Sequence, residues 1–389
     1  MLNLPVYLDN NATTACDPRV VEVMLPWFTQ HYGNAASNSH TYGWQAKEAV
    51  DLAREQVALL IGAVPQEIVF TSGATEANNL ALKGVFEAYK SKGNHIITVA
   101  TEHNAVLDTC KHLQKLGASI TVLPVEADGL LNLQTLEAAI EANTILIAVM
   151  YANNETGVIQ PVKEIAAIAK KHGVIFFSDG AQAAGKIKID VQQDGIDLLS
   201  LSAHKMYGPK GVGALYVRRR NPRVSLTAQM DGGGHERGVR SGTLNVPGIV
   251  GLGKAAALAM QELNTDAFHL AEWRNKLEHA FLQLEEVTVN GSRKHRLPHV
   301  TNLSFKFTES EGLMMSLHKN IAVSSGSACT SATMQPSHVL KAMGLSDEQA
   351  HASLRFALGR FTTEEEIDYA IAQVSTAVKE ARAQRVLTI

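Results

Sequence analysis

Between residues 45 and 260 the chain alternates stretches of helical period with short β-branched runs, the sequence form of a doubly wound α/β sheet. One unit shows the logic. Val50, Ala53, Val57, Leu60 and Ile61 recur at helical spacing, Lys47, Asp51, Arg54 and Glu55 take the opposite face, and Gly62 follows as a C-terminal cap. Glu67-Ile68-Val69-Phe70-Thr71 then reads as a strand. Further strands are predicted at 95–99, 119–123, 144–150, 174–178, 197–202 and 212–217. Several are apolar throughout, as strands covered on both faces must be.

After Pro247 the pattern changes to longer helices, through 263–284, and then to shorter mixed segments. A strand is expected at 300–305, a helix at 311–319, a strand at 353–357 and a final helix. Thr362 or Thr363 announces that last helix, with Glu364, Glu365 and Glu366 in its first turn. The expected organisation is a large domain over 15–260 and a smaller α+β domain over 261–389, joined by the N-terminal segment 1–14. No internal repeat or low-complexity linker interrupts it.

The 389 residues, 46% hydrophobic and 19% charged, are enough for a large buried core. A net charge of -3 and a pI of about 6.6 give no sign of a polyanionic partner, so no direct nucleic-acid binding is expected. The N-terminus, Met1-Leu2-Asn3-Leu4-Pro5, has no basic region ahead of an apolar run, and Asp9 comes too early for a targeting peptide. The longest apolar runs, such as 145–152, fall far short of the roughly 20 residues of a membrane span. Cys16, Cys110 and Cys329 are odd in number and widely spaced, which argues for a reducing compartment. A soluble, cytoplasmic protein without membrane partners is expected. The fifteen histidines have neither metalloprotease spacing nor cysteine partners, so no metal site is expected.

Cys329 lies in Ser324-Ser325-Gly326-Ser327-Ala328-Cys329-Thr330-Ser331-Ala332, without one large or charged side chain. Such a stretch cannot bury enough apolar surface to offset the entropy of ordering itself, which predicts a mobile surface loop. A thiol there is either a spare surface cysteine or a nucleophile acting as its thiolate. The choice turns on whether the chain offers it an electrophile.

Polar residues collect where predicted strands end, the edge at which open α/β sheets bind ligands. After 67–71 come Ser72-Gly73-Ala74-Thr75-Glu76, a small-residue turn opening a helix whose free N–H groups can hold a phosphate. Thr101-Glu102-His103, Asp179 with Gly180-Ala181-Gln182, and Ser202-Ala203-His204-Lys205 follow three other strands. Taken singly, each has a plainer explanation as a turn, a loop histidine, a helix cap or a solvated lysine. Together they supply a phosphate cradle, an imidazole, a carboxylate and an amine, the set pyridoxal 5'-phosphate (PLP) needs.

Here the residues carry a family resemblance. The segments Tyr7-Leu8-Asp9-Asn10-Asn11-Ala12-Thr13-Thr14, Thr71 to Glu76, Thr101-Glu102-His103 and Asn153-Asn154-Glu155-Thr156-Gly157 resemble the cysteine desulfurases of the class V aminotransferase family. So do His204-Lys205-Met206-Tyr207-Gly208-Pro209-Lys210-Gly211, Gly232-Gly233-Gly234-His235-Glu236-Arg237, Arg240-Ser241-Gly242-Thr243 and the Cys329 loop. The match is collinear over essentially the whole chain. It is to the housekeeping type that supplies sulfur for iron-sulfur clusters and tRNA thiolation.

The resemblance implies a fold-type I PLP-dependent transferase, with a mainly parallel seven-stranded sheet sandwiched by helices, acting as a homodimer on L-cysteine. It makes Cys329, Lys205 and His103 the catalytic residues. Lys205 would carry the cofactor as a Schiff base and then take the Cα proton, His103 would stack on the ring, and Asp179 would pair with its nitrogen. Gln182 would contact the phenolic oxygen, Ala74, Thr75, Ser202 and His204 the phosphate, and Thr243 the phosphate of the neighbouring subunit's site. Asn154 would contact cofactor and substrate, and with Arg355 would bind the substrate carboxylate, Arg355 by a planar two-donor fork. Cys329 would attack the substrate sulfur, giving a persulfide and alanine.

Sulfur would then pass to acceptors such as an iron-sulfur scaffold or tRNA-thiolation enzymes. The sequence ends at Ile389, so the docking tail for a scaffold is expected to be short. Where the family usually has Ser-Gly-His-Lys, this chain has Ala203, placing a methyl beside the expected phosphate site. The alternatives are a selenocysteine lyase or another class V PLP enzyme. An aminotransferase would not need Cys329, and a catalytically silent relative would have lost Lys205, Asp179 or Cys329. Gly251-Leu252-Gly253-Lys254 imitates a dinucleotide fingerprint but lies in a helical pattern, so helix packing is expected. Arg218, Arg219, Arg220 and Arg223 read as a solvated turn, with a basic patch for tRNA or a partner as the alternative.

Overall fold

The computed structural model describes residues 2–325 and 336–387. Its strands are β1 (Val6–Tyr7), β2 (Ile68–Thr71), β3 (His95–Val99), β4 (Ser119–Leu123), β5 (Thr144–Ala148), β6 (Ile175–Asp179), β7 (Leu198–Ser202), β8 (Gly213–Val217), β9 (Val287–Val289), β10 (Val300–Phe305), β11 (Ile321–Ala322) and β12 (Ser353–Ala357). The α-helices are α1 (Pro18–Met24), α2 (Pro26–Thr29), α3 (Thr41–Leu60), α4 (Ala74–Ala88), α5 (Asn104–Lys115), α6 (Leu133–Ala138), α7 (Val162–His172), α8 (Val246–Phe281), α9 (Ser310–Leu317), α10 (His338–Ala342), α11 (Asp347–His351) and α12 (Glu364–Leu387).

Seven strands form one sheet in the order β2-β8-β7-β6-β5-β3-β4, in which β8 alone runs against its neighbours. Alternation along each strand divides its side chains between two cores. Ile147, Phe176, Leu199 and Tyr216 pack on one face with Val50 and Val57 of α3, Ile165 of α7 and Leu252 of α8. Leu146, Phe177, Leu198 and Leu215 pack on the other with Leu80 and Val85 of α4 and Val106 and Leu113 of α5. Both faces are dry, which is why these strands read as continuous apolar runs. The exception is β4, at the sheet edge, where Ser119 is exposed and Leu123 is buried.

The α3 and α8 axes approach closely because glycine faces the contact. A Cβ on Gly253 would lie 2.6 Å from Ala53 Cα, so the glycine-rich run serves helix packing as expected. A second sheet, β12-β10-β9, is antiparallel and packs on α9, α12 and the end of α8. Phe281, Phe305 and Phe356 meet there with ring centroids 5.2–6.3 Å apart. Helix α8 is 36 residues long and runs unbroken across residue 260, the expected boundary between the two domains. Features that went unpredicted include the short β9 and the two-residue pairing of β1 with β11. Thr363 caps α12 through a reciprocal bond with Glu366, 3.3 and 2.8 Å. Among the described residues no helix is long and apolar enough to cross a membrane.

Candidate active site

Five strands of the large sheet, β2, β3, β5, β6 and β7, run the same way, so the polar turns that follow them share one edge. They enclose a cavity of about 530 Å³. It is lined by ten of the expected site residues, Ala74, Thr75, His103, Asn154, Asp179, Gln182, Ser202, His204, Lys205 and Arg355. Thr243 is exposed and does not line this cavity. Cys329 lies outside the described residues, which resume at Pro336 after Ser325.

Asp179 ends β6 and is only 6% exposed. It accepts bonds from Asn78 Nδ2 (2.7 Å) at Oδ2, and from Ala181 N–H (2.9 Å) and Ser200 Oγ (3.1 Å) at Oδ1. An ionised carboxylate has about four acceptor positions, which leaves one for a further donor on the Oδ2 side.

The short turn after β7 projects Lys205 into the cavity, where Nζ donates to Asn11 O (2.5 Å) and Ala12 O (2.8 Å). The next bend holds Tyr207 at φ +64, a left-handed geometry unusual for a bulky residue. Its surroundings over-determine that geometry. Tyr207 N–H donates to Thr14 Oγ1, its carbonyl accepts from Asp17 N–H, and its hydroxyl accepts from Lys186 Nζ and Arg360 N–H.

Gly73 opens α4 at φ +152 with no side-chain cap, and Ser202 Oγ would lie 3.8 Å from a Cβ there. The first turn of α4 thus offers backbone donors beside a hydroxyl, favourable for an anion. Glu76, in the same turn, is neutralised by Arg240, 2.7 and 3.2 Å away. Although burial works the other way, that pair and Ser72 hold the Glu76 carboxyl below its usual range.

His103 caps α5, accepting from Ala105 N–H at Nδ1 (3.1 Å). Burial lowers its pKa, with Asp179 opposing and Lys205 assisting, so the ring is neutral and carries its proton on Nε2. His204 is pushed down to about 4 by burial, then by Lys205 and Lys210. Arg355, buried in β12, donates from Nη1 to Asn154 O (2.9 Å) and from Nη2 to Asp9 Oδ1 (2.6 Å). Its fork is thus partly engaged within the chain, while Nε has no partner among the described residues.

Three buried polar atoms here lack partners among the described residues: Asn78 Oδ1, Asn154 Oδ1 and Arg355 Nε. Buried polar groups are normally satisfied, so their convergence fits a site shaped for a polar ligand. The cavity suits PLP on several independent counts. It has an amine, a carboxylate with a spare acceptor position, a neutral imidazole and an uncapped helix start.

The Ala203 methyl departs from expectation. Ala203 is fully buried in the apolar core, 2.9 Å from where a Cβ on Gly208 would sit, and does not line the cavity.

Asn78, Ser200, Glu102 and Asn11, for which no role is expected from the sequence, all organise the site. Glu102 Oε1 accepts from Met150 N–H (2.5 Å), and its carbonyl accepts from His338 Nε2 (2.9 Å), tying the ends of β3 and β5 to α10. Burial raises its pKa well above the usual range, with Asp179 adding to the effect. The other thiols are poor nucleophiles. Burial pushes Cys110 up to about 12, and burial followed by Asp17 raises Cys16.

The class-V aminotransferase family model matches residues 6–370. A relative from Anaeromyxobacter dehalogenans (strain 2CP-C) named cysteine desulfurase IscS is 56% identical over 382 residues, 98% of this chain and 94% of its own length. Another of that name, from Shewanella sp. (strain MR-4), is 56% identical over 383 residues with the same coverage. A solved NifS-like protein superposes with a TM-score of 0.90 at 38% identity, over 97% of this chain and 100% of its own. With the family match spanning both sheets and relatives more than half identical along nearly the whole length, the chain belongs to the class-V aminotransferase family, in its IscS-type cysteine desulfurase branch.

Proposed function

We propose that this protein is a PLP-dependent cysteine desulfurase, converting L-cysteine to L-alanine and passing the sulfur to Cys329 as a persulfide. The observation that carries the reading is the convergence of Lys205, Asp179 and His103 on one cavity beside the first turn of α4.

In this reading Lys205 would carry the cofactor, Asp179 would pair with its ring nitrogen and His103 would stack on the ring. Gln182 would contact the phenolic oxygen, and Ala74, Thr75, Ser202 and His204 the phosphate, with Thr243 serving a second subunit's site. When bound, PLP supplies an electron sink for the pair released as the substrate Cα loses its proton. Lys205, whose free amine donates to two backbone carbonyls, would be the base for that proton once the substrate has displaced it from the cofactor. Arg355 and Asn154 orient the substrate by its carboxylate, for which Arg355 Nε is a donor with no partner among the described residues and Asn154 offers its side-chain N–H.

Cys329 attacks the substrate sulfur as a thiolate. The carbon–sulfur bond breaks, a sulfur–sulfur bond forms, and the carbon fragment takes up a proton to leave as alanine.

The family acts on L-cysteine and is typically dimeric. We assign a homodimer here, with the cofactor carried by residues 15–260 and the Cys329 segment by 261–389, the two units sharing helix α8. Sulfur acceptors such as an iron-sulfur scaffold or tRNA-thiolation enzymes and a cytoplasmic setting belong to the same proposal. The test is the purified PLP-loaded protein with L-cysteine and a thiol reductant. Alanine and sulfide in equal amounts are expected, and absence of alanine refutes the reading.

A further inference from the structure

Asn11 joins more of the candidate site than any residue assigned a role in it. Its backbone carbonyl accepts from Lys205 Nζ (2.5 Å) and Gln182 Nε2 (3.0 Å). Its side-chain Nδ2 donates to Asn154 O (3.0 Å), the same carbonyl that receives Arg355 Nη1. The cofactor-bearing amine and the carboxylate-binding pair therefore share one asparagine.

What fixes that asparagine is His299, wholly buried just ahead of β10, with Nε2 2.8 Å from Asn11 Oδ1. The proton assignment follows from chemistry. A carbonyl only accepts, so Nδ2 must be the Asn11 atom facing Asn154 O, and Oδ1 must face the histidine. His299 therefore donates from Nε2 and keeps a bare Nδ1, which has no partner among the described residues. A second proton would bury an unpaired donor near cations. Burial, followed by Lys186, Arg274 and Arg355, pushes the His299 pKa well below its usual value, so the ring stays a neutral donor. The His299 carbonyl accepts from Leu358 N–H (2.9 Å), which pins the ring's backbone beside β12.

We propose that His299 is a positioning residue for the desulfurase reaction, locking Asn11 so that one asparagine sets both the place of the freed Lys205 amine and the Asn154–Arg355 carboxylate grip. The assignment rests on the reading of Lys205 as the cofactor-bearing amine. It predicts that the position of the donor matters, not the bulk of the ring. Glutamine carries an N–H the same number of bonds from Cα as His299 Nε2, whereas asparagine is one bond short.

The experiment compares PLP-loaded wild type with His299→Leu, His299→Asn and His299→Gln. It reads kcat and KM for L-cysteine, the pH midpoint of the bound cofactor's visible band and the dissociation constant for PLP. Loss of a supporting bond of this kind should cost about 10- to 100-fold in kcat/KM in His299→Leu and His299→Asn, and His299→Gln should stay within about threefold of wild type. The midpoint and the PLP affinity should move in the first two and return in the third.

Leucine and asparagine variants that match wild type in both midpoint and kcat/KM overturn the assignment. So does equal impairment of all three, because donor position would then be irrelevant. Should His299→Leu fail to fold, the comparison of His299→Asn with His299→Gln decides alone. A wild type that makes no alanine refutes the functional reading and this assignment with it, whereas an active wild type with indifferent variants refutes this assignment only.

Discussion

Removing the Glu236 carboxylate should destabilise the protein more than any surface substitution, because it strands a buried guanidinium. Arg54 in α3 meets Glu236 in a two-point pair, both bonds 2.7 Å, with side chains only 8% and 2% exposed. Glu236 also accepts from Phe70 N–H in β2 (2.8 Å), and Arg54 stacks 4.5 Å from the Phe70 ring centroid. Breaking a buried pair by deleting one partner costs about 3–5 kcal/mol. The upper half of that range is expected for Glu236→Ala, since Phe70 N–H loses its acceptor as well. Alanine at 236 inherits the φ of +48, so the backbone gains no relief.

With an unfolding entropy of about 2.1 cal/mol/K per residue, roughly 0.8 kcal/mol/K for this chain, the thermal midpoint should fall by about 5–6 K. Glu236→Gln keeps an acceptor for Phe70, and combining it with Arg54→Met removes the stranded charge. That double variant should recover at least half of the Glu236→Ala loss in urea unfolding followed by circular dichroism. A Glu236→Ala loss below about 1 kcal/mol, or strictly additive losses for Arg54→Met and Glu236→Gln, would refute the argument. The same segment carries Arg240, which fastens Glu76 at the start of α4, so PLP affinity should weaken alongside stability.

Cys329→Ser should retain the cofactor and its spectral response to L-cysteine yet form no protein persulfide, and undiminished sulfide release from that variant would exclude Cys329 as the sulfur acceptor. Arg355→Lys keeps the charge opposite Asp9 but loses the planar fork, so KM for L-cysteine should rise about tenfold, with the cofactor spectrum unchanged. An unchanged KM would remove Arg355 from the carboxylate grip. Burial raises the Glu155 carboxyl to about 7 against the opposing pulls of Ser337 and Arg355. The native state then keeps a proton that the unfolded chain has lost above about 4.5, so this stabilisation is complete below that pH and disappears as the pH rises through 7. Urea midpoints at pH 5 and 8 should reveal a loss on the order of 3 kcal/mol that Glu155→Gln lacks, and equal pH dependence in both proteins would contradict it.

The sheet was legible because burial on both faces leaves an unmistakable trace. His95–Val99, Ser119–Leu123, Val300–Phe305 and Ser353–Ala357 fall on their expected bounds, and the other strands shift by a residue or two. The expected domain boundary at 260 falls inside the unbroken helix α8. Gly248, Gly251 and Gly253 depress helix propensity at its start, and close packing of α8 on α3 overrides that local preference. The Ala203 methyl was placed wrongly because it sits in a tight turn after β7, where the alternation of a strand no longer tells which way a side chain faces.

Side chains with intrinsic chemistry, Lys205, Asp179, His103 and Arg355, announced themselves at strand ends. Their supporting partners did not. Asn78 reaches Asp179 across 101 residues and His299 reaches Asn11 across 288, through single bonds that leave no periodic or local signature.

The deeper reason is that the site is held largely by backbone carbonyls. Asn11 O and Ala12 O receive the Lys205 amine, and Asn154 O receives Asn11 and Arg355. Every residue type carries a carbonyl, so composition cannot mark which ones matter. The placement of these carbonyls comes instead from how the N-terminal segment is threaded. Leu8 N–H donates to Ala322 O, Leu8 O accepts from Ala357 N–H, and Asn10 N–H donates to Ala357 O. Residues 6–14 are thereby laid from the smaller sheet across to the turn that bears Lys205, where Thr14 N–H donates to His204 O. The segment that looks like a mere connection in the sequence is thus part of the active-site wall. Substitutions at the β1–β11 and β12 contacts should alter the environment of the Lys205 amine without touching any residue that carries recognisable chemistry.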